Sequence, residues 1–388
     1  MTIDNLFFEL LRVSIGKSGC LSKTPTNEEW KALYDIAIKQ SLVGVCFVGL
    51  HSLCINPDNG FMRIGMSEDL FFNWMGMATQ INIRNEVVSK AVGKVKEHLE
   101  HEGFDMVLLK GQGNMCNYPD SLRMFRNSGD IDTWIMPKNF EAMSLNECMK
   151  NDEIVLKHFW KKDSTIRHCY IHINDSQIKG IDVEVHYRPS FINAPWRNRK
   201  FQRWMVEKAP EQFSNIAILP ESGDVRVAVP TNSFNLIYQL NHMYRHIFDD
   251  GLGLRQIMDY YFLLQQDLTY VDTKSLQKEI EMFGMKHFAS ALMFVMQKVF
   301  CLPINKMIAP PDEKSGRFLL SEIMQSGNFG HYDERQKRTK HENGVERFLR
   351  RQKRNMRFLG QYAEEVLCVP LFRVYQEYWR IKMNIKCK

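Results

Sequence analysis

The hydrophobic pattern of this 388-residue chain changes period twice, and these changes constrain its fold more than any other feature. Up to Gly103, apolar residues recur at helical spacing. Between residues 104 and 187, four short runs read as strands, at residues 104–109, 130–135, 168–173 and 181–187, with a helix predicted over residues 138–150. From Pro230 onward the strand pattern disappears. This order predicts an α/β or α+β sheet unit between two helical regions.

Composition excludes several classes of protein. The chain is 44% hydrophobic and 25% charged, too apolar for a disordered protein. Its most membrane-like segment has an uninterrupted apolar run only over residues 42–50, whereas a membrane-spanning helix needs about 20 such residues. The 9 cysteines form no CxxC pair, which favours a reducing compartment, and the N-terminus lacks the features of a signal peptide. We therefore predict a soluble, cytoplasmic protein that does not bind membranes.

The most informative motif is Gly129-Asp130-Ile131-Asp132. Alternate residues of a strand share a face, so Asp130 and Asp132 would point the same way, with Cα atoms about 6.6 Å apart. Two carboxylates at this spacing can bind one Mg²⁺ ion, which prefers oxygen ligands. Two solvated aspartates on an edge strand are the alternative interpretation.

A glycine turn precedes this motif. Lys110-Gly111-Gln112 follows a predicted strand and precedes a short predicted helix, so its backbone could approach a phosphate group. Lys110 would add a positive charge there, and Arg126 lies four residues before Asp130. An ordinary strand-to-helix turn with surface basic residues is the alternative.

A third polar strand follows the motif. Residues 181–187 alternate strictly, so that Asp182, Glu184 and His186 share one face. A further carboxylate on a neighbouring strand could complete a two-metal site or act as a general base. A half-exposed strand with one polar face would look the same. His168 and His172 also share a strand face, without a zinc-binding signature.

Taken together, these segments resemble the uncharacterised nucleotidyltransferase family, a branch of the polymerase-beta-like nucleotidyltransferase superfamily. The resemblance covers about residues 85–330 and rests on these motifs: Lys110-Gly111, Tyr118-Pro119, Arg126, Gly129-Asp130-Ile131-Asp132, Val183-Glu184-Val185-His186, Gly251-Leu252-Gly253-Leu254-Arg255-Gln256, Asp259 and Gly327-Asn328-Phe329-Gly330. The superfamily usually has Gly-Ser at the turn, about a dozen residues before the paired aspartates. Here Gln112 follows Gly111, and Asp130 comes 19 residues after Gly111.

The resemblance implies an α+β fold, with a mixed-sheet minimal nucleotidyltransferase core flanked by helices. We assign residues 1–75 to an N-terminal helical region, 76–230 to the catalytic core and 231–388 to a C-terminal helical region with a basic tail. The resemblance also implies that a nucleoside monophosphate is transferred from a nucleoside triphosphate to an unknown acceptor, with release of pyrophosphate. The acceptor would be a small molecule, a protein or RNA.

The same resemblance assigns roles to individual residues. Asp130, Asp132 and Glu184 would bind two Mg²⁺ ions, with Mn²⁺ as an alternative. The nucleotide would be bound by residues of the glycine turn and of the segment just before the predicted strand at 130–135, namely Lys110, Gly111, Gln112, Arg126 and Gly129. The acceptor side would include polar residues from the second half of the chain and the third strand, namely His186, His242, His246, Arg255 and Asp259.

Two other functions stay open at this stage. The chain could be a non-catalytic nucleotide-binding module, although all three carboxylates are present. It could also bind nucleic acid through its basic C-terminal region, because residues 331–388 contain 15 basic and 7 acidic residues. A solvated helix face is the simpler interpretation of that charge. His242 and His246 have the i, i+4 spacing of zinc-binding helices but lack the accompanying glutamate.

Overall fold

The computed structural model describes residues 2–55, 64–138, 145–160, 165–166, 169–173, 180–219, 223–336 and 343–382. The chain begins with four helices: α1 (Ile3–Ser14), α2 (Asn27–Lys39), α3 (Val43–Ile55) and α4 (Glu68–His101). Helix α2 begins at Asn27 because Thr26 and Glu29 form a capping box. The buried rings of Trp30 and Trp74, 6.3 Å apart, join α2 to α4.

Helix α4 connects the N-terminal helices to the sheet. Over its 34 residues, the first half packs on α2 and α3 through Leu70, Phe71 and Trp74. The second half packs on the sheet through Val88 and Val92. The boundary predicted at residue 75 lies inside this helix, so the N-terminal region and the core share one continuous element.

The middle of the chain forms the sheet and the helices on it: β1 (Phe104–Leu109), α5 (Lys110–Met115), α6 (Asp120–Arg123), β2 (Ile131–Pro137), α7 (Leu145–Trp160), β3 (Thr165–Ile166), β4 (Tyr170–Ile173), β5 (Val183–His186), α8 (Pro195–Ser214), β6 (Ile216–Leu219) and β7 (Val225–Ala228). Within the described residues the sheet has seven strands, in the order β3-β4-β5-β2-β1-β7-β6. Strand β1 is antiparallel to β2 and parallel to β7, and β2 is parallel to β5. The sheet is therefore mixed, and the α+β prediction is confirmed.

The two faces of the sheet pack in different cores. Met106, Leu108 and Ile135 belong to the core formed with α4 and α7. On the other face, Val107 and Trp134 belong to a larger core that also contains α8 and α9. This second face is the one that carries the polar residues discussed below.

The rest of the chain is helical: α9 (Asn232–Asp249), α10 (Leu254–Gln265), α11 (Thr273–Met282), α12 (Lys286–Phe300), α13 (Glu313–Ser326), α14 (Gly344–Asn355) and α15 (Leu359–Lys382), with 3₁₀ turns at Ile304–Lys306, Asn328–Gly330 and Met356–Phe358. The loss of strand pattern after Pro230 is thus confirmed for the described residues. No helix among them combines the length and apolar character needed to cross a lipid bilayer.

Some elements differ from the sequence prediction. Helix α7 extends to Trp160, ten residues beyond the predicted end at residue 150, because Val155, Leu156 and Phe159 pack in the core beneath the sheet. Residues 139–144 of the predicted helix lie outside the described residues, as does His168. Strands β3, β6 and β7 were not predicted. The alternation in β6 is weak because Ile216 and Ile218 are exposed at the sheet edge.

Candidate active site

Two parallel strands bring the predicted carboxylates together. Asp132 on β2 lies directly beside Glu184 on β5, and Trp134 lies beside His186. Strand residues alternate, so Asp132 points to the same face as Trp134, whose ring stacks on Phe234 of α9 at 5.8 Å. The polar side chains therefore lie between the sheet and α9.

Asp132, Glu184 and His186 form a compact group of metal-ligating side chains. One ligand atom from each lies within 4.8 Å of the others. His186 Nε2 is 2.9 Å from Asp132 Oδ1 and 3.6 Å from Glu184 Oε2. His172 on β4 brings a second imidazole, with Nε2 3.4 Å from Glu184 Oε1. Two carboxylates suit Mg²⁺ or Mn²⁺, and an imidazole extends the set to other divalent transition metals.

Asp130 lies just before β2 and is half-buried. The negative charge of Asp132 and then burial raise the pKa of Asp130, whereas Lys110 and Arg255 act in the opposite direction. Mutual repulsion of this kind is expected of carboxylates that share a site. Asp130 is therefore coupled by charge to the compact group. Asp130 is not itself one of the three members of that group, which are Asp132, Glu184 and His186.

Lys110 supplies the positive charge inside this group. It follows β1, where Leu109 lies opposite Asp132, and its Nζ is 2.6 Å from Asp132 Oδ1. Burial alone would lower the pKa of Lys110, but the charges of Asp132, Glu184 and Asp130 outweigh it and raise the pKa. The lysine is therefore cationic and offsets part of the carboxylate charge.

The turn after Lys110 is tighter and more buried than the sequence suggests. Lys110 and Gly111 both have positive φ, 40° and 32°. A Cβ on Gly113 would lie 2.7 Å from the carbonyl oxygen of Leu108, which explains this glycine. Gln112 is buried and donates to Ser128 Oγ at 2.8 Å. Gly111 and Gln112 thus anchor the turn, whereas Gly129 is exposed beside Asp130.

Arg126 and Asp259 do not lie on opposite sides of a cleft; they form an ion pair. Arg126 Nε donates to Asp259 Oδ1 at 2.7 Å, and Nη2 donates to Oδ2 at 2.6 Å. Tyr118 donates to the same carboxylate at 2.6 Å. Burial would raise the pKa of Asp259, but Arg126 lowers it below the ordinary value. The two side chains satisfy each other and join the loop before β2 to α10.

Arg255, also on α10, contacts the segment that precedes β2. Its Nη1 donates to the backbone oxygen of Asn127 at 2.9 Å, and its guanidinium lies 5.5 Å from the ring centre of Phe329. Burial and the nearby charge of Arg126 lower its pKa, while Asp259 and Asp130 raise it. Arg255 therefore reaches the loop that leads into Asp130, and its Nε has no partner among the described residues.

Helix α9 presents three polar rings on one face. Tyr238, His242 and His246 are four residues apart, with ring centres 6.3 Å and 4.4 Å apart along the row. His242 Nε2 and His246 Nε2 are 3.0 Å apart, so one donates to the other. The Tyr238 hydroxyl is buried, has no partner among the described residues, and interacts electrostatically with Lys110, Asp132 and Glu184.

The charges around the two histidines keep both rings neutral. Burial and the positive charge of Lys110 lower the pKa of His242 well below its usual range. Burial, Lys110 and Arg245 lower the pKa of His246 to about 3, and Arg255 acts in the same direction. The site therefore combines a group of carboxylates with a surround of positive charge, which suits a polyanionic ligand.

Sequence reasoning missed two aromatic contributors to the site. Tyr170 on β4 lies opposite His186, with ring centres 5.0 Å apart. Tyr238 reads in the sequence as one of several apolar residues on α9. The only available signal was its spacing, four residues before His242 and eight before His246.

Several residues of the basic C-terminal region are paired within the chain. Arg351 Nη2 lies 2.9 Å from Asp250 Oδ1, and Arg357 Nη2 lies 3.1 Å from Asp333 Oδ2. Arg347 and Lys353 on α14 are exposed. Lys337, Arg338 and Lys340 of the predicted patch lie outside the described residues.

Comparison with known proteins gives one match. A family described as uncharacterised nucleotidyltransferase matches residues 26–301, which is more than half of the chain. No curated protein and no solved structure matches. The matched range contains β1, β2, β5, α9 and α10, and therefore all the residues of the candidate site.

Proposed function

The chain belongs to the uncharacterised nucleotidyltransferase family, and we propose that it transfers a nucleoside monophosphate from a nucleoside triphosphate to an acceptor, releasing pyrophosphate. The observation that carries this proposal is the compact group of Asp132, Glu184 and His186, with Lys110 beside Asp132. Asp130, coupled to this group by charge, completes the pair of aspartates.

We propose Asp130, Asp132 and Glu184 as ligands of Mg²⁺, with Mn²⁺ as the alternative. The donor chemistry fits, because carboxylate oxygens are the preferred ligands of both ions and the repulsion between Asp130 and Asp132 favours a shared cation. When bound, such ions neutralise phosphate charge and lower the pKa of an attacking hydroxyl or water. His186, whose Nε2 is 2.9 Å from Asp132 Oδ1, would fix the orientation of that carboxylate or serve as a further ligand.

Lys110 and Arg255 are the phosphate-binding residues in this proposal. Both are cationic residues coupled by charge to Asp130, and both keep N–H donors beyond those that contact Asp132 and the Asn127 backbone. Arg126 is replaced in this role, because Asp259 already occupies its guanidinium. Arg126 instead positions the loop from which Asp130 and Asp132 extend.

The acceptor would approach along the side of the site formed by α9, which faces the sheet. His242 and His246 are half-buried there, and their neutral rings can donate hydrogen bonds to an incoming group or accept them from it. Nucleotidyl transfer joins the acceptor nucleophile to the α-phosphorus and breaks its bond to the oxygen of the leaving pyrophosphate. The protein contributes mainly by positioning these groups and stabilising charge.

A pyrophosphate-release assay tests the proposal. The purified chain is incubated with Mg²⁺ or Mn²⁺ and each nucleoside triphosphate in turn. Each reaction is run with and without a cell extract that supplies both small-molecule and macromolecular acceptors. Metal-dependent release with at least one triphosphate is expected. Binding of a triphosphate without release under any of these conditions would instead support a non-catalytic nucleotide-binding module.

A further inference from the structure

The outer side of α15 carries an exposed apolar stripe. Leu367, Leu371, Val374, Tyr378 and Ile381 are between 58% and 75% exposed, and Tyr375 beside them is 46% exposed. We call these six side chains the α15 stripe. The opposite side of the helix is buried in the protein through Phe372 and Gln376, so α15 cannot rotate to cover the stripe without losing those contacts.

The spacing of the stripe is that of paired helices. Its five main residues follow one another at intervals of 4, 3, 4 and 3 positions. Over these two heptads the spacing matches the coiled-coil repeat, in which apolar residues recur every 3.5 positions on average and pack against a second helix. The stripe lies on the side of α15 that faces away from the protein's own core.

We propose that the α15 stripe binds the same stripe of a second copy of this chain, as an antiparallel pair with two-fold symmetry. Such an interface is self-complementary, because each copy contributes the same patch to the other. This inference does not rest on the proposed enzymatic function.

The charged residues that border the stripe favour the antiparallel orientation. Arg373, Glu377 and Arg380 lie along one border, and Tyr375 lies along the other. In an antiparallel pair, the charged border of one helix faces the charged border of the other, and the two run in opposite directions. This brings Glu377 of each copy toward Arg373 of the other. A parallel pair would place the charged border against Tyr375. The Glu377 side chain is 56% exposed and the Arg373 side chain 38%, so both can reach outward.

Charge also favours a second copy, rather than an anionic membrane surface, as the partner of the α15 stripe. Arg380 is paired with Glu377 at 2.8 Å, and Arg373 lies 3.7 Å from Asp249. Each of these two basic groups therefore lies near a carboxylate of the same chain, and Asp249 is shared with Arg245 at 3.4 Å. An interfacial membrane helix needs an excess of positive charge at this position, whereas a border that carries both signs, with Glu377 exposed on it, lets two identical surfaces pair.

The area of the stripe predicts a weak dimer. A fully exposed aliphatic side chain offers roughly 100 Å² of apolar surface. At the exposures given above, the six residues of two copies would bury roughly 750 Å² in total. Stable interfaces of standard size bury about 1,200–2,000 Å². Even with the charged borders added, this pair belongs to the weak and reversible class, with a dissociation constant on the order of 10 µM.

Analytical ultracentrifugation of the full chain from about 1 to 200 µM tests the proposal, since this range spans the expected constant. We expect a reversible monomer–dimer equilibrium. Leu371→Glu should weaken it at least about tenfold, because it places charge in the apolar seam. Leu349→Glu is the matched control: Leu349 on α14 is 59% exposed, against 58% for Leu371, but lies outside the stripe. Both positions are exposed, so melting temperatures should change little.

Charge reversal tests the orientation. Glu377→Arg alone and Arg373→Glu alone should each weaken the dimer several-fold, and the double variant should restore it. A monomer at every concentration, or equal weakening by Leu371→Glu and Leu349→Glu, would overturn the proposal. So would a monomer that co-sediments with phosphatidylserine vesicles through Leu371, which would assign the stripe to a membrane. Failure of the double variant to recover would overturn the antiparallel arrangement.

Discussion

Arg126 and Asp259 bind each other through two hydrogen bonds, of 2.7 Å from Nε to Oδ1 and 2.6 Å from Nη2 to Oδ2. Both side chains are 5% exposed, and Tyr118 donates a third hydrogen bond to Oδ1. The pair holds the loop before β2 against α10, and thereby sets the position from which Asp130 and Asp132 extend.

Breaking this pair should destabilise the protein. We expect Asp259→Asn to lower the free energy of unfolding by about 3–5 kcal/mol, because Arg126 would be left as a buried charge without its counter-ion. Urea denaturation followed by circular dichroism measures the change. Asp120→Asn is the control, since Asp120 is 94% exposed in its pair with Arg123, and should cost less than about 1 kcal/mol. Similar losses in both variants would contradict a structural role for Asp259.

The pairing also explains where sequence reasoning stops. Strands β1, β2 and β5 could be predicted from local period, and alternation placed Asp130 with Asp132 on one strand and Glu184 with His186 on another. The structure then brings Asp132, Glu184 and His186 together on one face of the sheet. Which cation meets which carboxylate depends on distant packing. Arg126 and Asp259 are 133 residues apart, and nothing in either segment indicates that they neutralise each other.

The same limit applies to the residues that were missed. Tyr238 looks like a core residue in the sequence, because its polar atom matters only once α9 lies over the sheet. Strand β6 was missed because it lies at the sheet edge and exposes Ile216 and Ile218, which blurs the alternation. Local patterns therefore predicted the strands and the polar face, whereas the arrangement of charge around them required the tertiary structure.

Stability should depend on pH through His246. Its pKa falls from an ordinary 6.5 to about 3 on folding, because of burial and the charge of Lys110. Between these values the unfolded chain binds a proton that the folded chain does not, so this contribution is complete above pH 6.5 and declines as pH falls toward 3. We expect the contribution of His246 to the free energy of unfolding to be about 2 kcal/mol smaller at pH 5 than at pH 8.

Denaturation at a series of pH values measures this effect. His246→Gln should reduce the loss of stability between pH 8 and pH 5, and His51→Gln should leave it unchanged, because His51 is exposed. An identical pH dependence in the wild type and in His246→Gln would show that His246 is not held neutral by the fold.

Lys110 should compete with divalent cations for the carboxylates. Lys110→Met removes the cation 2.6 Å from Asp132 and leaves the repulsion among the carboxylates unbalanced. We expect a lower melting temperature without metal, and a larger rise on adding Mg²⁺ or Mn²⁺ than in the wild type. Differential scanning fluorimetry with and without a chelator measures both. Lys90→Met, an exposed lysine on α4, is the control. Equal metal responses in all three proteins would argue against a metal site here.

Asp130 should matter for activity more than for folding. Asp130→Asn relieves the repulsion from Asp132 that raises the pKa of Asp130, so we expect the melting temperature to stay level or rise. Pyrophosphate release should fall about 100-fold or more, because a charge-stabilising ligand is lost. Asp182→Asn changes an exposed carboxylate just before β5 and should retain activity. Full activity in Asp130→Asn would remove Asp130 from the proposed metal ligands.

The central claim is that the site around Asp132 and Glu184 transfers the α-phosphate of a nucleoside triphosphate. The direct measurement compares α-labelled and γ-labelled triphosphates in the same acceptor-containing extract, with wild type, Asp132→Asn and Asp182→Asn. We predict metal-dependent transfer of the α-label to an acceptor and of the γ-label to pyrophosphate, abolished by Asp132→Asn and kept by Asp182→Asn. Transfer of the γ-label to the acceptor, or α-label transfer that survives Asp132→Asn, would contradict the account.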